Sequence, residues 1–193
     1  MIRLLPIVEG HGDLEAVPLL VRRVLHELHG RFDVEVLSAQ RRGEWPRVKQ
    51  DFERFFRSAR LENAPILWVL DFDCADCIDH EKERGWGLAE AARLDPTGLV
   101  EIVFLVKEFE SLFLWEARPL RDGFGEQIGD DALPAAPEEV RDAKGFVSNL
   151  LPKGRAYKPT TDQARIAQRL DLQVLQRRSP SFQRFESAIR ALS

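Results

Sequence analysis

A chain of 193 residues with 44% hydrophobic content has material for one core and an appendage, and too little for two independent domains. Its formal charge of -4 argues against a generic nucleic-acid coat, and no apolar run approaches the roughly 20 residues that span a bilayer. Cys74 and Cys77 stand too close together to staple a fold and read as reduced thiols. With an N-terminus that passes straight into a strand, the chain is expected in the cytoplasm and off the membrane.

In chain order, "RLLPIVE" (3–9) is the first run of strand character. In "DLEAVPLLVRRVLHELHG" (13–30), Leu14, Val17, Leu20, Val21, Val24, Leu25 and Leu28 recur at spacings of three and four. That period predicts a helix, stopped by Gly30 and begun or kinked at Pro18. "FDVEVLS" (32–38), "PILWVLDF" (65–72) and "LVEIVFLV" (99–106) are further strands, with helices over 45–61 and 81–93. Strands separated by helices need crossover connections, which predicts the α/β class: a mainly parallel, Rossmann-like sheet of about four strands covered by helices. Beyond it, 108–117 reads as a helix, 118–137 as a Gly/Pro/Asp-rich loop and 137–151 as a helix. "GRAYKPTTD" is irregular, and two helical pieces follow, the last capped by Ser179 with Pro180 at its first position. The expected division is an α/β core over 1–117 and a mainly helical C-terminal extension over 118–193, packed on that core. From Lys144 onward ten Lys/Arg face three acids, a charge of +7 that leaves -11 for the rest. An acidic body can gather metal ions, and a basic tail can hold phosphates.

Ligands of such sheets bind beyond the carboxyl ends of the strands, where Glu9 and Asp71 lie. Glu9 is followed by "GHGD", so Asp13 comes back toward it on the first turn of the helix. Asp71 and Asp73 share a side if the strand continues, because side chains alternate. Four carboxylates at one rim repel one another unless cations neutralise them, and hard oxygen ligands suit Mg²⁺ or Mn²⁺. Glu108 and Glu110 follow the fourth strand; on an α-helix they face about 200° apart, so one points inward, and Glu108 is added to the metal set. Lys144 in "DAKG" is the candidate cation for charge developing on a substrate, with Lys153, Arg155 and Lys158 as phosphate contacts. Cys74, Cys77 and His80 have zinc-like spacing but no evident fourth ligand. His11 is a turn residue beside Glu9, Tyr157 a packing or base-stacking residue, and Asp76 an outside candidate at the rim.

"VEGHGDLEAVPLL", "LDFD", "FLVKEFESLFL", "PEEVRDAKGFVSNLL", "YKPTTDQARIAQRLDL" and "RRSPSFQRF" follow one another nearly end to end. Together they resemble the bacterial domain-of-unknown-function family numbered 4276, of the Toprim-like group, distantly similar to the Toprim domain of overcoming-lysogenization-defect (OLD) nucleases. The resemblance implies a Toprim-like fold in which Glu9, Asp71 and Asp73 hold Mg²⁺ for phosphodiester chemistry, with Asp13 at a second-metal position. It implies a two-metal hydrolysis of DNA or RNA, with Glu9 also as general base or acid. It further implies an anti-phage effector beside an ATPase partner of the ABC or AAA type, since the chain contains no G-x-x-x-x-G-K-[ST] of its own. The rival expectation is a non-catalytic module that binds metal or nucleic acid for regulation. The early Glu-Gly turn and the short chain speak against a D-x-D glycosyltransferase, and a D-x-D after the third strand speaks against a haloacid-dehalogenase-type phosphatase.

Overall fold

The computed structural model describes residues 2–73 and 79–193, so the readings made for Cys74, Asp76 and Cys77 lie outside the described residues. Among the described residues, five strands run parallel: β1 (Ile2–Val8), β2 (Val34–Val36), β3 (Gln40–Arg41), β4 (Ile66–Phe72) and β5 (Val100–Val106). The order is β2-β1-β4-β5, and β3 pairs with β1 at Ile7 and Val8. The expected four strands are therefore five. The run at 32–38 yields only a three-residue strand along the start of β1, and after a break the chain rejoins the same flank farther along as β3.

All seven residues of β4 are buried, as a strand between two parallel neighbours requires. Leu67 and Val69 join Leu4, Val8, Val103 and Leu105 in one apolar cluster, while Ile66, Trp68, Leu70 and Phe72 join Leu5, Ile7, Ile102 and Phe104 in the other. Side-chain alternation thus puts Asp71 on the first of these faces. That face is covered by α1 (Asp13–Arg23), which runs through Pro18 and buries Ala16, Val17, Leu20 and Val21.

The second face is covered by α2 (Trp45–Gln50), α3 (Phe52–Arg60) and α4 (His80–Leu94). The single helix expected over 45–61 is interrupted at Asp51, where ψ is 17° rather than helical, so that Trp45 and Val48 as well as Phe52, Phe55 and Phe56 are buried. Asp79 caps α4 by accepting from the N–H groups of Glu81 and Lys82. At Gly87 an added Cβ would run into Ile102 Cδ1, and Trp45 lies 3.2 Å away. Gly87→Ala is therefore expected to lose about 1–3 kcal/mol to overpacking, more than the ~1 kcal/mol of helix propensity it gains. Urea denaturation checks the sign.

The C-terminal segment shares the first core. Helices α5 (Ala117–Phe124), α6 (Ala143–Asn149), α7 (Ala164–Ala167), α8 (Leu172–Arg178) and α9 (Pro180–Leu192) follow, and Phe182, Phe185, Ile189 and Leu192 are buried in the cluster that holds Leu4 and Val8. Ser179 caps α9 with Pro180 at its first position, as expected. α9 packs against β5, and Ser181 Oγ accepts from Val106 N at 3.0 Å near the end of that strand.

Three readings of this half need correction. Residues 109–115 wind as a 3₁₀ helix, not an α-helix. The supposed loop at 118–137 begins with α5: Pro119 sits in its first turn, where a missing N–H is harmless, and Gly125 ends it at φ +70°. The helix expected over 137–151 is a 3₁₀ turn at Pro137–Glu139 followed by the shorter α6, which Asp142 caps through Gly145 N.

Candidate acidic rim

The register of β1 against β4 pairs Val8 with Val69, so Glu9, one residue past the end of β1, lies beside the last residues of β4, which stays paired with β5 through Phe72. Just beyond, a Glu9 carboxylate oxygen accepts from Asp71 N at 3.3 Å. Asp71 is itself buried. Its Oδ1 accepts from Phe109 N at 2.8 Å, at the start of the 3₁₀ helix, and its Oδ2 lies 3.5 Å from Lys144 Nζ. Asp13 opens α1 with both oxygens engaged: Oδ2 accepts from Gly10 N at 2.7 Å and Oδ1 from Gln163 Nε2 at 2.6 Å. Asp73 follows the end of β4, exposed, where its charge is felt at Glu9.

Glu108 and Glu110 both point inward, against the expectation that one would. Glu108 is extended (φ -143°, ψ 158°) and Glu110 sits on a 3₁₀ turn, so the 200° separation of an α-helix does not apply. Both Glu108 oxygens accept from Lys144, one from the backbone N–H at 3.0 Å and one from the ammonium at 2.9 Å. Glu110 is fully buried; Oε1 accepts from the Tyr157 hydroxyl at 2.8 Å, while Oε2 has no hydrogen-bond partner and lies 3.7 Å from Lys144 Nζ.

Burial alone would lower the Lys144 ammonium's pKa, but the charges of Asp71, Glu110 and Glu108 around it prevail and push it up. Burial raises Asp71 well above the usual carboxylate range, helped by Asp13 and opposed by Lys144. Glu9 is pushed up to about 7 by burial and then by the charges of Asp73 and Asp13. Burial likewise takes Glu110 to about 7, against the pull of Lys144 and Tyr157, and burial beside Glu110 pushes the Tyr157 phenol up. Between the ordinary 4.5 and about 7, folded Glu9 and Glu110 hold protons that the unfolded chain has released. The folded state binds more protons in that window, so the cation-free protein loses stability as pH rises through it. Urea midpoints falling from about pH 5 to about pH 8 are the expected result.

A cavity of about 280 Å³ opens at this rim, lined by Glu9, Asp13, Asp71, Lys144, the Gly10–Gly12 turn and Pro159, Thr160 and Gln163. A larger one, about 490 Å³ between α4 and α9, is lined by His80, Arg84, Glu101 and Arg184 and reaches none of the rim acids. His11 is exposed on the wall of the smaller cavity. Gly12 is there because a Cβ would strike Gln163 Oε1 and come within 2.8 Å of Pro159.

The basic candidates divide. Lys153 and Lys158 are exposed and make no ion pair among the described residues, and Lys158 adjoins Pro159 on the cavity wall. Arg155 is engaged elsewhere: its guanidinium donates to Phe124 O at 2.9 Å, pairs with Glu126 at 2.7 Å and lies over the Phe124 ring.

Apart from His11 on the cavity wall, the rim's candidate ligands are hard carboxylate oxygens. Six carboxylates (Glu9, Asp13, Asp71, Asp73, Glu108 and Glu110) face one ammonium, and a buried oxygen of Glu110 lacks a hydrogen bond. That composition suits Mg²⁺ or Mn²⁺. Among the described residues no three His, Cys, Asp or Glu side chains converge on one point as a closed metal site would require.

Sequence reasoning weighed Glu110 but left it out of the acidic set in favour of Glu108, and it missed Gln163 and the role of Tyr157. An acid inside the otherwise apolar "FESLFLW" is a signal for Glu110; nothing in the sequence marks Gln163. No curated protein and no solved structure matches the chain. A family model described as "Domain of unknown function (DUF4276)" matches residues 8–190, a span that contains the whole rim from Glu9 to Gln163. The chain belongs to the DUF4276 family.

Proposed function

We propose that the protein is a Mg²⁺- or Mn²⁺-dependent phosphodiester hydrolase of Toprim-like kind, acting on DNA or RNA. The observation that carries this reading is the junction of Glu9 with Asp71 across adjacent parallel strands, with Asp73 close enough to perturb Glu9. Glu9, Asp71 and Asp73 would hold the cation. When bound, it supplies Lewis acidity, charge neutralisation at the phosphate and activation of water.

The chain's own residues do the rest. Asp71 is fixed by Phe109 N and Glu9 by Asp71 N, so neither carboxylate has to be ordered when substrate arrives. Lys144 lines the cavity, and its position is set by the two bonds to Glu108; its ammonium is therefore preorganised to meet negative charge on a phosphoryl oxygen. Lys158, Lys153 and His11 are the outer contacts for a polyanion. Among the described residues no helix is long and apolar enough to cross a membrane. The place of action we propose is the cytoplasm, and the role that the family resemblance suggests is an effector of anti-phage defence switched by an ATPase of the ABC or AAA type.

A second reading is a non-catalytic module that binds metal or nucleic acid for regulation. It is favoured by the ion pairs of Lys144 with Asp71, Glu108 and Glu110, which offset part of the rim's charge without any cation. The deciding experiment is metal-dependent cleavage of plasmid, single-stranded DNA and RNA by purified protein, beside Glu9→Ala and Asp73→Ala. Cleavage by the wild type that both variants lose supports hydrolysis. Cleavage surviving both sinks it, and nucleic-acid binding without cleavage, unchanged when the ATPase partner is added, selects the second reading.

A further inference from the structure

We infer that the rim takes a single divalent cation, and that the Lys144 ammonium stands permanently where a second would lie. This rests on the rim being a cation site, and it narrows the two-metal arrangement that the family resemblance implies.

The carboxylates fall into two sets that share Asp71. On the inner side Lys144 Nζ lies 2.9 Å from Glu108, 3.5 Å from Asp71 and 3.7 Å from Glu110. An ammonium has three N–H donors, and three carboxylates surround it. Its freedom is small, because the backbone N–H of the same residue is held by the other Glu108 oxygen and α6 starts beside it, capped by Asp142. Glu110 Oε2 is an independent sign of what this pocket is built around: fully buried and without a hydrogen bond, it has the charge of Lys144 as its nearest compensation. A dication entering here would have to expel the ammonium from the carboxylates that neutralise it.

The outer alternative for a second ion is Asp13, and it is committed as an acceptor. Each of its oxygens already accepts a short hydrogen bond, from Gly10 N at 2.7 Å and from Gln163 Nε2 at 2.6 Å, whereas Asp71 Oδ2 has only the 3.5 Å contact with Lys144. Gln163 is itself only 2% exposed and lies against Gly12, so its amide cannot swing aside without lifting Pro159–Gln163, a single π-helical turn in the stretch expected to be irregular, off the Gly10–Gly12 turn. Glu9, Asp73 and the cavity side of Asp71 remain, a ligand set for one ion that keeps several waters.

The test is a count of Mn²⁺ bound per full-length chain at neutral pH, by calorimetry and by electron paramagnetic resonance, with Lys144→Gln and Lys144→Arg beside the wild type. The expected result is one ion with the spectrum of isolated Mn²⁺ in wild type and Lys144→Arg, and two ions with spin coupling in Lys144→Gln. Two coupled ions in the wild type overturn the inference and leave the cation site standing. No ion in the wild type overturns both. One ion in Lys144→Gln overturns the assignment of the second position to Lys144. The wild-type count decides even if Lys144→Gln does not fold.

Discussion

Lys144→Met lowers the unfolding free energy by about 2–3 kcal/mol near pH 8 in cation-free buffer. Removing one partner of a fully buried ion pair costs about 3–5 kcal/mol, and the 39% exposure of the Lys144 side chain calls for a discount. The loss arises because Asp71, Glu108 and Glu110 are left with no counter-charge among them, and Glu110 Oε2 already lacks a hydrogen bond. The effect depends on pH. Near pH 5 the raised pKa values of Asp71 and Glu110 let those groups take up protons instead, so the penalty shrinks. Urea denaturation of both proteins at the two pH values measures it. A loss that is the same at both would contradict the charge explanation and point to lost packing of the lysine stem.

Asp71→Asn has the opposite signature: a more stable protein with its cation-dependent activity reduced by about 100-fold or more. The amide oxygen can still accept from Phe109 N, so the anchor at the 3₁₀ helix survives. Burial already disfavours the charge on Asp71, with Asp13 and Glu9 adding to it, so a neutral side chain relieves repulsion that the attraction of Lys144 does not cancel. What the proposed site would lose is a charged ligand at the end of β4. Thermal unfolding in cation-free buffer and cleavage in Mg²⁺ or Mn²⁺ read the two effects separately. A variant that is less stable and equally active would show Asp71 to be a structural acid.

The legible part of the fold is the part fixed by strong apolar periodicity. β4 stands out because a strand buried on both faces reads as an unbroken apolar run, and Glu9 and Asp71 follow because strand ends are easy to locate. β3 is two residues long, held by its pairing with β1 and not by any pattern of its own. The position of Glu110 depended on the kind of helix that 109–115 would form, and a run of apolar residues does not distinguish 3₁₀ from α. Arg155 was placed among phosphate contacts by charge alone, whereas its partners Phe124 and Glu126 come from a helix and turn hidden in a segment of loop-like composition. The bond from Gln163 to Asp13 spans 150 residues, and no local pattern encodes it.

The central claim is that Glu9, Asp71 and Asp73 form a site for a divalent cation, and it is tested most directly by thermal unfolding near pH 8 against increasing Mg²⁺ or Mn²⁺. Ligand at about 100 times its dissociation constant adds about 2.7 kcal/mol, which for a chain of this size raises Tm by roughly 5–10 °C. The wild type is predicted to show that rise. Glu9→Gln should begin from a higher cation-free Tm, because its carboxyl no longer ionises beside Asp73 and Asp13, and should rise little further. No rise in the wild type, or an equal rise in both proteins, would contradict the account.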